Sequence, residues 1–260
     1  MNDQTLLIDA ARRAGEIATS FWRNSPATWE KDDGTGPVTE ADLAVNDMLR
    51  DRLLAARPGY GWLSEESEDS SDRLLRERVF IIDPIDGTRS FIAGEKTWSH
   101  SLAVAENGHI VAGVVFLPLP DKLYSAHLHS GAFLNGTPIH ASDRTDIDGA
   151  TLLSARTNLH ASNWRGSVPP VARHFRTSIA YRIALVAEGR FDGMLSLRDT
   201  WEWDVAAGAL IASEAGARVT DRHGAIPVFN NSRPMLSGIL AATCAVHEDL
   251  MARLIQGQDP

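Results

Sequence analysis

Cysteine is nearly absent, Cys244 being the only one in 260 residues. A single thiol excludes a disulfide framework and any cysteine-built metal centre. Its setting within the apolar run Gly238 to Val246 marks it as a buried small hydrophobe rather than a nucleophile. No apolar stretch approaches the ~20 residues that a membrane-spanning helix needs, which argues against a membrane partner. The start, Met1-Asn2-Asp3-Gln4, lacks the basic and apolar segments of a secretory signal, so the expected compartment is the cytoplasm. Positive charge is also scarce. With Lys+Arg 25 against Asp+Glu 34, the formal net charge is -9. That balance disfavours a nucleic-acid polymer, because backbone phosphates are bound by neutralising cations. A small phosphorylated metabolite is different, since a bound cation and backbone amides can hold it without a basic surface.

What the chain does have is a dense acidic motif at the end of a strand. The apolar run Val79-Phe80-Ile81-Ile82 passes directly into Asp83-Pro84-Ile85-Asp86-Gly87-Thr88. Such a run reads as a buried strand, so Asp83 sits where the chain leaves the sheet and ligands collect. Pro84 stiffens the exit, and Gly87 permits a positive φ or close approach of the backbone to an anion. Asp83 and Asp86 therefore converge. Two carboxylates that close repel unless a proton is shared or a cation lies between them, and hard oxygen ligands suit Mg2+ or Mn2+. Asp-Pro and Asp-Gly are also ordinary turn chemistry, so this motif alone reads equally well as a plain turn. An EF-hand loop fits poorly, because acidic residues are missing at alternate positions. An aspartyl-nucleophile phosphatase wants one residue between its aspartates. Here two intervene, which re-aims one side chain, and that mechanism is set aside.

Leu7, Ala10, Ala11, Ala14, Ile17, Ala18 and Phe21 recur at helical spacing and predict an amphipathic helix from about Gln4 to Arg23. A loop rich in Gly, Pro and Asp is expected over Asn24 to Val38. It is followed by a helix capped by Thr39 and ended by Arg57-Pro58-Gly59. A strand Tyr60 to Leu63 and a polar stretch Ser67 to Glu77 lead to the acidic motif. From Trp98 to Ile139 the hydrophobic period is two, with turns at Asn107-Gly108 and Asn135-Gly136, so this region is antiparallel. Beyond a seam near Ser142 to Gly149, strands alternate with helices over Ser178 to Gly189, Asp204 to Ala215 and Val246 to Ile255. The expected division is an α+β half, residues 1–145, carrying most of the acidic motifs, and an α/β half, residues 146–260, contributing Asp204. The two are tightly joined as one unit.

Four separated segments occur in order: Pro37-Val38-Thr39-Glu40-Ala41-Asp42, Leu63-Ser64-Glu65-Glu66-Ser67, Ile82-Asp83-Pro84-Ile85-Asp86-Gly87-Thr88 and Trp203-Asp204-Val205-Ala206-Ala207-Gly208. Together they resemble the inositol monophosphatase superfamily of Mg2+-dependent phosphomonoesterases. The resemblance implies a layered α-β-α-β-α sandwich of the inositol monophosphatase and sugar phosphatase type, and a metal-dependent phosphoric monoester hydrolase that uses activated water. It implies that Glu65, Asp83 and the carbonyl of Ile85 hold one Mg2+, and that Asp83, Asp86 and Asp204 hold another. Two or three ions are expected, with Mn2+ as a substitute and Li+ and Ca2+ inhibitory. By the same resemblance Glu65, Thr88 and Asp42 are the catalytic set, with Thr88 bonded to Asp42 and orienting the water. Gly87, Thr88, Asp204 and Lys31 are the substrate-binding set. Each has a dull counterpart. Asp42 and Asp204 suit the first turn of a helix, where an anion is favoured, and Glu65 and Glu66 suit an exposed surface. Joint occurrence in family order outweighs these readings, since none of them predicts the others.

Two departures fall near the substrate mouth: Ser64 stands where a glycine is frequent, and Thr177-Ser178 stands where Gly-Ser is. Trp201-Glu202-Trp203-Asp204, Leu63 to Glu66, and Ser178 with Leu185 to Gly189 look more like the 3′(2′),5′-bisphosphate nucleotidase branch. That branch removes the 3′-phosphate of 3′-phosphoadenosine 5′-phosphate. On this reading Trp201 or Trp203 stacks the adenine, and Arg182 or Arg198 pairs with the second phosphate. Inositol 1-phosphate and histidinol phosphate are alternatives with the same chemistry. A non-catalytic metal- or nucleotide-binding regulatory protein is the alternative from another class, disfavoured by the completeness of Glu65, Asp42 and Thr88. His127-x-His129 has strand spacing but no third ligand and reads as a half-exposed strand edge, while His100 and His140 have no partners by spacing. The oligomeric state is open between monomer and homodimer.

Overall fold

The computed structural model describes residues 2–255 except Asp32, Asp33 and Thr35, so part of the expected 24–38 loop and the last residues of the second half lie outside the described residues. Helix α1 (Asp3–Phe21) begins where the Asn2 side chain accepts the Thr5 N–H, and it buries Leu6, Leu7, Ala10, Ala11, Ala14 and Ala18 on one stripe. Where composition predicts only loop, a short hairpin forms between β1 (Thr28–Glu30) and β2 (Pro37–Thr39). Flanking glycine and proline hide so brief a pairing. Helix α2 (Glu40–Ala56) opens with a capping box in which Thr39 and Asp42 satisfy each other's backbone N–H groups.

Helices α1 and α2 pack together on one face of a seven-stranded sheet. The sheet runs in chain order through β3 (Gly61–Ser64), β4 (Arg78–Asp86), β5 (Ser99–Glu106), β6 (His109–Leu117), β7 (Lys122–His127), β8 (Ala132–Leu134) and β9 (Thr137–Ile139). Only the β3–β4 pair is parallel. The five-residue α3 (Thr88–Ile92) links β4 to β5. Both faces of β4 and β5 are covered, which is why they read as continuous apolar runs rather than alternating ones.

The second half adds β10 (Thr151–Ser154), β11 (Ala172–His174), α4 (Ile179–Ala187), β12 (Gly193–Ser196), β13 (Thr200–Trp201), α5 (Glu202–Glu214), β14 (Arg218–Thr220), β15 (Met235–Leu236), β16 (Ile239–Ala242) and α6 (Cys244–Arg253). A mixed five-stranded sheet has the order β11-β10-β12-β16-β14. Helices α4 and α5 lie between the two sheets: α5 touches β4 to β7 on one side and β14 and β16 on the other. Leu153, Met194 and Ala241 face this central layer. Their neighbours Leu152, Leu195, Leu240 and Ala242 face α6 through Val246 and Leu250. The layers are therefore α-β-α-β-α. A helix sandwiched between sheets must be apolar all round, and α4 and α5 are almost wholly buried. Gly113 lets β6 approach α5, since a Cβ there would lie 3.0 Å from the Ala207 carbonyl oxygen. Ile81, Ala103 and Val115 of the first half share one core with Ile183, Val205 and Ala241 of the second.

Two expectations are corrected. Cys244 is exposed, because the apolar run ends at Thr243 and Cys244 opens α6 outward. His129 is not on a strand: β7 ends at His127, and His129 adopts φ 64 in the following turn, so the two rings do not share a strand face. No helix among the described residues is long and apolar enough to cross a membrane.

Candidate metal and phosphate site

Strand β4 delivers Asp83 into the interior, 1 % exposed. The turn after β3 supplies Glu65 and the first turn of α5 supplies Asp204. One carboxylate oxygen from each of Glu65, Asp83 and Asp204 lies within 4.8 Å of the others. Asp83 Oδ1 is buried and has no hydrogen-bond partner. An orphaned buried acceptor among acids is what a cation satisfies, and an all-oxygen donor set of this kind fits Mg2+ or Mn2+. Burial, then the charges of Glu65, Asp86, Asp204 and Glu66, holds Asp83 well above the usual carboxylate range. Burial, then Asp86 and Glu65, raises Asp204 in the same way.

Asp86 stands beside this trio, turned to the N-terminus of α4. Its Oδ2 accepts the Ser178 hydroxyl at 2.6 Å and the Ala180 N–H at 2.7 Å, while Oδ1 accepts the Ile179 N–H at 3.2 Å. Burial pushes Asp86 up to about 6 against these bonds. The Thr88 hydroxyl is shared between Asp42 Oδ1 at 3.3 Å and the Ile85 carbonyl at 3.1 Å. Burial pushes Asp42 up to about 6, opposed by two bonds from Thr39. Gly87 precedes α3 at φ 98, a left-handed conformation that suits glycine. Lys31 Nζ bridges Glu65 and Glu66, 2.7 Å from each. Burial works against its charge, but Glu65 and then Glu66 outweigh burial and raise it. Glu66 is pushed up to about 7 by burial and by Glu65.

In front of these groups is a cavity of about 470 Å³ lined by Glu65, Gly87, Thr88, Phe175, Arg182 and Arg198 among others. Arg198 and Glu65 also line a second cavity of about 470 Å³ that holds Lys31, Trp201, Trp203 and Asp204. The two tryptophans stack on each other, with ring centroids 4.7 Å apart and planes at 9°. Hence they and Arg182 serve different cavities. Arg182 is buried, and its guanidinium donates to the carbonyls of Ser178 at 3.3 Å and Thr177 at 3.4 Å and lies 5.1 Å from the Phe175 ring centroid. Among the described residues it has no ion-pair partner. Burial lowers it to about 10.

Sequence reasoning missed three supporting groups. Asn46 accepts from Ser64 and Ser67 on either side of the Glu65-Glu66 pair. Phe175 has no motif. His100, read as lacking partners, bonds through Nδ1 to the Pro84 carbonyl, and burial lowers it to about 4.

The profile of the Inositol monophosphatase family matches residues 2–259. The chain is 36 % identical over 196 residues to the inositol-1-monophosphatase of Rhizobium meliloti (strain 1021), covering 72 % of this chain and 73 % of that protein. It is 30 % identical over 265 aligned positions to the histidinol-phosphatase of Chlorobaculum parvum, covering 98 % of each. Among solved structures, the IMPase of Thermotoga maritima superposes with a TM-score of 0.81 at 27 % identity, covering 97 % of this chain and 96 % of that one.

Proposed function

The chain belongs to the inositol monophosphatase family and is a phosphoric monoester hydrolase, and from that premise we propose that it is a Mg2+-dependent 3′(2′),5′-bisphosphate nucleotidase acting on 3′-phosphoadenosine 5′-phosphate. Glu65, Asp83 and the Ile85 carbonyl would hold one ion, and Asp83, Asp86 and Asp204 a second. Bound there, the metal supplies an acidified water and neutralises charge on the transferring phosphoryl group. The Thr88 hydroxyl, fixed by Asp42 and Ile85, orients the attacking water. Asp42, poised near 6, takes the proton that Thr88 passes on. The amides of Gly87 and Thr88 receive phosphate oxygens, and Lys31 offsets the charge of Glu65 and Glu66 that would repel the ester.

The reaction rests on one observation: the carboxylates of Glu65, Asp83 and Asp204 converge from separate elements, and one oxygen of Asp83 is buried without a hydrogen-bond partner. The choice of substrate rests on another. The buried guanidinium of Arg182 feels the charges of Asp86 and Asp204 but closes no ion pair with either among the described residues, so its N–H groups can still receive an anion. Arg198 lines the same cavity, so a second phosphate on the ester would meet both, and Phe175 offers its ring to the base. The test is phosphate release with Mg2+ from 3′-phosphoadenosine 5′-phosphate, inositol 1-phosphate and histidinol phosphate, the last two being the substrates for which relatives are named. The bisphosphate is expected to lead by about tenfold or more in kcat/KM. A preference of that size for inositol 1-phosphate defeats the substrate choice and leaves the reaction standing. Mg2+ binding with no turnover of any ester would favour the regulatory reading.

A further inference from the structure

The ladder between β4 and β5 breaks inside the acidic motif. Asp83 pairs with Ser101 and Asp86 pairs with Ser99, so two residues of β4, Pro84 and Ile85, oppose the single residue His100 of β5. This is a bulge, and bulges re-aim the side chains beside them. Its two carbonyls lose their ladder partners and must find others. The Ile85 carbonyl takes the Thr88 hydroxyl at 3.1 Å. The Pro84 carbonyl takes the ring of His100, which is wholly buried. A carbonyl can only accept, so the ring nitrogen facing it is Nδ1–H, which leaves Nε2 a bare acceptor. That atom is buried and unpartnered, and the centroid of the imidazole ring lies 5.5 Å from that of Trp98, edge-on, and 6.3 Å from that of Phe116. A leucine or valine would fill that aromatic setting without an orphaned nitrogen. A histidine there is explained by what its other nitrogen does.

We propose that His100 is a positioning residue for the metal site, its Nδ1–H fixing the Pro84 carbonyl so that the bulge presents Asp83, Ile85 and Asp86 in one fixed arrangement. The inference rests on the reading that these residues hold Mg2+. His100 lines neither cavity, so it acts only through the bulge.

The test compares His100→Leu with His100→Asn, whose amide nitrogen stands close to where Nδ1 stands. Mg2+ affinity is measured by calorimetry on the substrate-free protein. His100→Leu is expected to weaken it by about tenfold or more, the usual cost of losing a group that orients a ligand. His100→Asn should restore near wild-type affinity, and the KM for the ester at saturating Mg2+ should be unchanged in both. Unaltered affinity in His100→Leu overturns the proposal while wild-type binding preserves the metal reading. Equal weakening in both variants also overturns it, by assigning the effect to lost ring packing. No binding by the wild type overturns both readings. Should His100→Leu not fold, 15N-histidine NMR of the wild type decides. An Nδ1–H tautomer whose signals move on Mg2+ addition supports the proposal, and an Nε2–H tautomer overturns it.

Discussion

The Ser178 hydroxyl donates to Asp86 Oδ2 at 2.6 Å and accepts the Tyr181 N–H at 2.9 Å, so one side chain caps α4 and holds a carboxylate of the metal site. Ser178→Ala removes both bonds. The cap and the charge-assisted bond together predict a loss of about 2 to 3 kcal/mol in metal-free denaturant unfolding. Thr restores the hydroxyl, so Ser178→Thr should recover most of that loss. A variant as stable as the wild type would show that Asp86 is held by the α4 backbone alone.

Asp86 and Asp204 are predicted to respond in opposite directions when neutralised. Asp86 faces three donors, and an asparagine amide would point N–H at one of them. Asp86→Asn should therefore cost about 1 to 3 kcal/mol and lower the metal-free Tm by roughly 3 to 8 °C. Asp204 sits against Asp86 and Glu65 with its pKa raised by burial and by them. Asp204→Asn relieves that repulsion and should raise the metal-free Tm. Both should abolish most turnover, because the ion that Asp83, Asp86 and Asp204 would share loses an anionic ligand. Calorimetry in EDTA checks the signs, and a fall in Tm for Asp204→Asn contradicts this account.

How much of this could be read beforehand depends on where each partner lies. Asp83, Asp86 and Thr88 sit within one local motif, and Thr39 is recognisable as a helix cap from its position, whereas the reciprocal bond of Asp42 to Thr39 and its bond to Thr88 are not visible in the local pattern. Glu65 and Asp204 could be placed only through the family resemblance, because local spacing does not bring β3 and α5 together. Ser178 reaches Asp86 across 92 positions, and His100 reaches a backbone carbonyl, which no side-chain pattern announces. The hairpin β1–β2 leaves no trace for a related reason: its pairs form between three-residue strands with no hydrophobic alternation to signal them. The exposure of Cys244 is hidden in the sequence, because its apolar neighbours run on without a break across the strand-to-helix turn at Thr243.

Metal binding should become more stabilising as pH rises. Glu66 is raised to about 7, Asp42 and Asp86 to about 6, and Asp83 and Asp204 lie well above the carboxylate range. These folded values exceed the unfolded ones of about 4, so their contribution to stability is full below that value and is lost as pH rises through the folded values. His100 and His247, both lowered to about 4, act the other way. Their contribution is present above the unfolded value of about 6.5 and is lost as pH falls toward about 4. Between about pH 6.5 and 8 only the carboxylates change, so the Tm in EDTA should fall across that window. Saturating Mg2+ replaces the protons and should flatten the fall. A Mg2+-induced shift in Tm that shrinks from pH 6.5 to about 8 would contradict proton release from this cluster.

Asn46 lies one helical turn beyond Asp42 on α2, and its Oδ1 accepts the Ser64 hydroxyl at 2.8 Å and the Ser67 hydroxyl at 3.2 Å. Ser67 in turn accepts the Trp62 indole N–H at 3.0 Å. A single amide oxygen thus ties both shoulders of the Glu65-Glu66 turn to the helix that carries Asp42. Asn46→Ala strands the buried Ser64 hydroxyl and the half-buried Ser67 hydroxyl and should cost about 1 to 3 kcal/mol, with weaker Mg2+ binding because Glu65 is no longer fixed against Asp83. Asn46→Asp keeps an acceptor for both hydroxyls and should retain most of the stability. Ser64→Ala combined with Asn46→Ala should cost less than the sum of the single changes, by about 1 kcal/mol, because both delete the same bond. Strict additivity in denaturant unfolding would mean that the amide and the turn are stabilised independently. In that case Ser64 contributes nothing to holding Glu65.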